Sequence, residues 1–346
     1  MNMDVRDGLS YDDVLVVPKR SPVAHRGDVD LSTTLTPTIT LDSPLLGAPM
    51  DTVTEAEAAI ALSLSGGLGT IHRFIPIEEQ ATEIRRVVGA GERAGGAVGI
   101  AEEYIERADA LIEAGAACVM VDVAHGHMER CLDAVREIRR EFPDVDLVAG
   151  NVATAEGVTD LAAAGADCVK VGVGPGSHCT TRQVAGAGVP QLTAVDDCAE
   201  AAREHDVTII ADGGIRKSGD AVKALVAGAD AVMIGGLFAG TTEAPGDVIE
   251  RDGERYKRSR GMASMEAGDE RTDKDGKIST AEGVAGLVPY RGDLAAVVAD
   301  LESGIRSGLS YCGGGDIETA RENAEFVRNS AGAQSREGVH GDVRER

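Results

Sequence analysis

From Pro44 to Gly236, short apolar runs enriched in β-branched residues alternate with stretches whose apolar positions recur every three to four residues. The runs Leu45–Met50, Gly67–His72, Gly95–Ile100, Ala117–Val123, Asp146–Val152, Cys168–Val173, Thr208–Gly213 and Ala231–Gly236 are predicted strands. Between them, segments such as Glu102–Ala114, Glu129–Phe142 and Ala194–His205 predict amphipathic helices. Strands that are apolar throughout belong to a parallel sheet covered on both faces. Eight such units close into a (β/α)8 barrel of the TIM type. An internal echo, Ala-Gly-Ala-x-x-Val-x-Val/Ile, falls at Ala114–Val121, Ala164–Val171 and Ala227–Ile234. It repeats one junction: a helix end, a glycine stop and a buried strand.

Three segments lie outside this alternation. Residues 1–43 hold Pro18, Pro22 and Pro37 and read as an extended N-terminal cover. Residues 251–287 are polar and mixed in charge, far longer than an ordinary barrel connection, and are expected to form a mobile active-site flap. Residues 331–346 are charged and rich in small residues, so a flexible tail is expected. The catalytic barrel is then 44–330.

Composition narrows the class of partner. With 34 Lys and Arg against 58 Asp and Glu, the net charge is −24, a field that repels phosphate backbones and anionic membranes. Neither nucleic acid nor membrane is an expected partner, and a small phosphorylated ligand must be held by local donors. Such an acidic surface suits a high-salt, halophilic cytoplasm, where the Debye length shrinks to about 3 Å at molar salt and self-repulsion fades. The six cysteines have no Cys-x-x-Cys spacing, the start of the chain has no basic-then-apolar leader, and no apolar run is long enough to span a bilayer. A soluble cytoplasmic protein with reduced thiols is the expectation.

Barrel enzymes carry their chemistry where strands end and loops begin, at the C-terminal face. The sixth exit, Gly172-Val-Gly-Pro-Gly-Ser-His-Cys-Thr-Thr-Arg182, is the richest: its alternating glycines allow close ligand approach, and Cys179 sits where a nucleophile belongs. Cys118 and Cys168 fall in apolar strands, Cys131 and Cys198 on helices and Cys312 beside a glycine run, positions that suit buried, quiet thiols. The seventh and eighth exits, Asp212-Gly213-Gly214 and Gly235-Gly236, have the form of a barrel phosphate site, with Asp212 placed to accept two ribose hydroxyls. Asp122 closes the fourth strand and suits a second ribose or a carboxamide. His125 and His127, two residues apart, do not share a helix face and lack the further ligands a zinc site needs.

Together, Leu9-Ser-Tyr-Asp-Asp-Val-Leu15, Met50-Asp-Thr-Val-Thr-Glu55, the Cys179 loop, Ala211-Asp-Gly-Gly-Ile-Arg216 and Val288-Pro-Tyr-Arg-Gly292 resemble the IMP dehydrogenase/GMP reductase family across about residues 8–330. The resemblance implies a covalent bond from Cys179 to C2 of a purine mononucleotide, with Thr181 and Glu282 handling protons. It implies Ser177, Gly214, Gly235 and Gly236 at the phosphate, Asp212 at the ribose, and Gly261 and Met262 at the base. Asp122, Asn151 and Gly172 would meet a nicotinamide cofactor, NADP or NAD. The carbonyls of Gly174, Gly176 and Cys179 would hold potassium in members that bind it, and a homotetramer is implied.

Departures from the family pattern bear on the reaction. The connection from His72 to Gly95 holds only one helix-length segment, Ile77–Arg93, so the pair of regulatory CBS modules often inserted there is missing. Dehydrogenases of the family carry an Arg-Tyr pair on the flap that activates water, and Met265–Leu287 contains none; Arg255-Tyr256 precedes Gly261-Met262. Ser259 replaces a tyrosine that often touches the phosphate. Reductive deamination of GMP by NADPH is therefore the expected reaction, since it needs a proton for the departing nitrogen rather than an activated water. Dehydrogenation of IMP with NAD is the alternative, favoured by His125-Gly-His127, Arg182–Pro190 and the Phe326-Val-Arg stretch, with Arg271 or Lys274 as substitute base. A non-catalytic purine-nucleotide sensor is a third reading, against which a reactive thiol loop argues.

Overall fold

The computed structural model describes residues 5–101, 103–270 and 281–337. Eight parallel strands close a barrel: β1 (Leu45–Gly47), β2 (Leu68–Ile71), β3 (Ala94–Val98), β4 (Val119–Asp122), β5 (Leu147–Val152), β6 (Cys168–Val171), β7 (Thr208–Asp212) and β8 (Ala231–Ile234). They pair in sequence order, and β8 returns to β1. Each coincides with a predicted run, shorter than it, and β3 begins one residue earlier than predicted. Nearly every strand residue is buried, because helices cover the outside and side chains fill the lumen.

The covering helices are α1 (Ala56–Leu64), α2 (Ile77–Gly89), α3 (Tyr104–Glu113), α4 (Glu129–Glu141), α5 (Ala155–Ala164), α6 (Gln191–Glu204), α7 (Ser218–Val226) and α8 (Leu294–Tyr311). Residue Glu102, in the predicted third helix, lies outside the described residues. In α4, Cys131, Leu132, Ala134, Val135 and Ile138 form the buried stripe, the spacing that laid the helix on the barrel. α5 begins where the Thr154 hydroxyl accepts from the Gly157 amide at 3.2 Å. It ends at Gly165, whose φ of +110° reverses the chain into β6; Gly115 and Gly228, in the other copies of the echo, turn the same way at +92° and +126°. The repeated motif is thus the helix stop of three β/α units.

Two expectations change. Residues 1–43 are more than an extended cover: strands Thr33–Thr36 and Ile39–Leu41 form a hairpin that buries Leu31, Leu35, Ile39 and Leu41. Thr33 donates to the Asp230 carbonyl at 2.9 Å, and Thr208 donates to that of Leu35, so the hairpin plugs the N-terminal mouth. The same segment reaches the opposite mouth, where Ser10, Tyr11 and Asp12 become part of the wall. The described parts of the polar stretch 251–287 are also more structured than a loop. Ile249–Arg251, Glu254–Arg260 and Ala285–Pro289 build a three-stranded antiparallel sheet. Its middle strand hides its alternation because its inward residues are polar: Lys257 is buried and donates to the carbonyls of Thr241, at 3.0 Å, and Ala244, while Arg260 pairs with Asp51. Arg271 and Lys274 lie outside the described residues. Ala331–Glu337, at the expected flexible tail, is a fully exposed to half-exposed helical segment.

Candidate active site

The strand exits enclose one cavity of about 750 Å³ at the C-terminal face. Cys179, Glu282, Ser177, Asp212, Gly214, Gly235, Gly236, Gly261, Met262, Asp122 and Gly176 line it, so most residues singled out from the sequence meet in one place. Thr181, Asn151, Gly172 and Gly174 stand behind that lining rather than in it. Ser259 is fully buried with its hydroxyl unpartnered, and it does not reach the cavity.

Packing of the exits sets these positions. Gly172 has φ +153°, and a Cβ there would lie 2.1 Å from the Asp212 carbonyl oxygen, so only glycine lets the sixth and seventh exits touch. The Cys179 loop is stitched to the foot of the flap: Thr180 N donates to the Glu282 carbonyl at 2.9 Å and Val284 N to that of His178 at 2.9 Å. Two residues a hundred positions apart are thereby fixed beside one another. The Cys179 thiol points at the Thr181 hydroxyl at 3.2 Å, and that hydroxyl donates to Glu282 Oε2 at 2.7 Å. Thiol, hydroxyl and carboxylate form a continuous proton path.

The remaining cysteines are chemically quiet. Burial pushes Cys131 and Cys312 up to about 11 and Cys118 and Cys198 to about 12, and it raises Cys168 as well. Cys179 alone lines the cavity, half-buried. His127 is engaged by Asp160 at 2.8 Å, on the outside of the barrel.

Deeper in the cavity sits a residue that reading the sequence missed. Lys170, in the apolar run Cys-Val-Lys-Val of β6, is fully buried and donates to Asp122 at 2.6 Å and Asp212 at 2.8 Å. Asn151 donates to Asp212 at 2.8 Å and to the Gly172 carbonyl at 2.9 Å, and its own Oδ1 has no partner. A lone lysine inside a strand whose other positions are apolar was the available signal. Gln191, also missed, lines the cavity and donates to the carbonyls of Val171 and Asp212, bracing the same exits.

A barrel whose C-terminal mouth brings a cysteine, a hydroxyl and a carboxylate into one hydrogen-bonded chain beside a cavity has the arrangement of a barrel enzyme. Comparison gives the family. A family model described as IMP dehydrogenase / GMP reductase domain matches residues 8–340. The chain is 40% identical to the inosine-5'-monophosphate dehydrogenase of Aquifex aeolicus, over 94% of this chain and 93% of that protein. It is 34% identical to the GMP reductase of Leishmania donovani, over 96% and 97%. Both alignments, at 458 and 476 positions, are longer than this 346-residue chain, so these relatives carry residues with no counterpart here. Among solved structures, a cysteine-to-alanine variant of the GMP reductase of Trypanosoma brucei, in complex with guanosine 5'-monophosphate, superposes with a TM-score of 0.93 at 32% identity, covering 98% of this chain and 99% of that one. This protein belongs to the IMP dehydrogenase/GMP reductase family, enzymes that oxidise or reduce purine nucleotides with a nicotinamide cofactor.

Proposed function

We propose that this enzyme is a GMP reductase: GMP, NADPH and a proton give IMP, ammonia and NADP. The observation that carries the direction is the pairing of an assembled Cys179–Thr181–Glu282 path with a flap, Met265–Leu287, that has no Arg-Tyr pair to activate water. The thiol proton passes through the Thr181 hydroxyl to Glu282 as sulfur attacks purine C2. The proton then returns along the same path to the exocyclic nitrogen, which leaves as ammonia. When bound, the nicotinamide cofactor would supply the hydride that restores C2, and the departing Cys179 thiolate takes up the proton consumed in the overall reaction. Asp212 accepts the ribose hydroxyls, Ser177 with Gly214, Gly235 and Gly236 receives the phosphate, and Gly261 and Met262 border the base. Asp122 on the cavity wall and the unpartnered Oδ1 of Asn151 behind it offer acceptors for the cofactor's carboxamide or ribose, with Gly172 beside them, so the residues present fit that group.

IMP dehydrogenation is the second reading, favoured by the 40% identity to the Aquifex enzyme. It requires a water-activating base from the flap, Arg271 or Lys274 first. A homotetramer, a halophilic cytoplasm and potassium on the carbonyls of Gly174, Gly176 and Cys179 belong to the same proposal; the Gly176 carbonyl already accepts from Cys179 N at 3.0 Å and keeps one lone pair for a cation. Among the described residues, no helix is long and apolar enough to cross a membrane.

The test is an assay at molar salt of GMP with NADPH against IMP with NAD, each in potassium and in sodium. Faster GMP reduction supports the proposal. Steady XMP formation at about 1 s⁻¹ or more, an ordinary enzyme rate, overturns it in favour of the dehydrogenase.

A further inference from the structure

Lys170 has no part in the chemistry outlined above, yet it is among the largest fully buried side chains in the protein. Its ammonium group joins two carboxylates that line the cavity from different strands, Asp122 at the end of β4 and Asp212 at the end of β7. The two bonds, 2.6 and 2.8 Å, limit the separation of the bonded oxygens to the sum of those lengths. Room for the lysine comes from Gly150 on β5, its register partner: a Cβ at Gly150 would lie 2.6 Å from that of Lys170. The space is built for this side chain.

We propose that Lys170 is a positioning residue that keeps Asp122 and Asp212 both in the charged, hydrogen-bond-accepting form, and so sets the pH down to which the nucleotide ribose is held. The inference rests on the purine-nucleotide reading of the cavity. Two carboxylates this close, each only about one-fifth exposed, repel one another, and the cation between them offsets that repulsion. Burial opposes the charge on Lys170, but Asp122 and then Asp212 outweigh it and hold the ammonium protonated above its ordinary range. Without it, one proton would be shared by the pair, and a protonated Asp212 would offer a donor where two ribose hydroxyls need acceptors.

The other groups around the cluster do not take over this role. Asn151, from β5, is neutral. Tyr11, from the N-terminal segment, is held protonated by burial first and then by the charges of Asp220 and Asp212. Cys131, from α4, is pushed up to about 11 by burial and by Asp122. Asp12, Arg216 and Glu282 line the same cavity but make their hydrogen bonds elsewhere, so Lys170 is the cation bonded directly to Asp122 and Asp212.

The experiment compares binding of IMP by calorimetry at molar salt in wild type, Lys170→Met, Lys170→Arg and the double variant Asp122→Asn/Lys170→Met. Each dissociation constant is divided by the wild-type value at the same pH, which cancels the second ionisation of the ligand's phosphate, near about 6. For Lys170→Met the ratio should rise about tenfold or more between about pH 8 and about pH 6, one proton competing with the ligand. For Lys170→Arg, which keeps the charge, and for the double variant, which removes the like-charged neighbour, the ratio should stay flat. A flat ratio in folded Lys170→Met, or a slope in the double variant equal to that of Lys170→Met, overturns the inference. Should Lys170→Met fail to fold, a sloping ratio in either of the other two overturns it. A wild type that binds neither IMP nor GMP overturns the nucleotide reading itself, and this inference with it, so the two failures are told apart.

Discussion

At the N-terminal end of the barrel the aspartates that open the strands are consumed by the fold. Asp167 accepts from Arg139 at 2.6 Å and from the Leu147 amide at 2.8 Å; Asp230 accepts from Arg321 at 3.1 Å and from the Ile209 amide at 2.8 Å; Asp146 is bonded by Thr38 of the hairpin. At the C-terminal end Asp122, Asp212 and Glu282 face a cavity: Asp122 and Glu282 each accept one side-chain bond and Asp212 two on a single oxygen, with lone pairs left over. The same residue type closes one mouth and equips the other. What differs is the supply of donors: strand starts offer free backbone amides and neighbouring arginines, whereas glycine-rich exits leave carboxylates facing open space. Satisfied groups stabilise, and the less satisfied ones remain available for ligand and proton transfer.

That contrast can be broken most sharply at Cys179. Replacing it by alanine should lower turnover in either direction by at least about 10³-fold while nucleotide binding, followed by calorimetry, persists. Retained turnover removes the covalent route. A thiol reagent near pH 8 should label Cys179 about 10³ times faster than the five buried cysteines, whose thiols are raised to about 11 or more and so present almost no thiolate. Bound IMP should protect it. Mapping the modified peptides by mass spectrometry decides, and early labelling of Cys131 or Cys312 would contradict the assignment.

Glu282→Gln interrupts the proton path and should slow ammonia release from GMP by about 10²–10⁴, with hydride transfer from IMP less affected because that step takes no proton from the pair. Equal losses in single-turnover measurements of both steps would deny Glu282 a special part in ammonia release. Asp212→Ala should act chiefly on the Michaelis constant, since hydrogen bonds to a charged group contribute about 1.5–3 kcal/mol each. An unchanged constant in a folded variant would take Asp212 out of the ribose site. The smallest kinetic effect belongs to the other mouth: Asp167→Ala strands the Leu147 amide and removes the carboxylate partner of Arg139, which keeps its backbone carbonyls, and should cost about 1–3 kcal/mol of stability, read as a lower melting temperature, with kcat and KM of the folded enzyme unchanged. A catalytic defect there would show that the two ends are coupled.

Local pattern was enough for the barrel and for the loop that carries the candidate nucleophile, whose role the family resemblance supplied. The eight apolar runs and the Ala-Gly-Ala echo specify strands and helix stops because burial on both faces and a left-handed stop are demands each short segment meets by itself. The Gly-rich exit around Cys179 was legible for the same reason. What could not be read locally was decided by packing between segments far apart. Polar residues of Glu254–Arg260 looked like loop and became a strand because Lys257 and Arg260 find carbonyls and a carboxylate on other segments. Residues 1–43 looked like cover and became a plug for one mouth and wall for the other. Lys170 was invisible in its apolar run because a buried ammonium makes sense only when Asp122 and Asp212, tens of residues away on either side, arrive beside it. Sequence by itself determined where strands, stops and the reactive thiol lie, through interactions among near neighbours; closure of the barrel alone decided which charges meet, since an ion pair's partners are set by three-dimensional distance rather than by position along the chain.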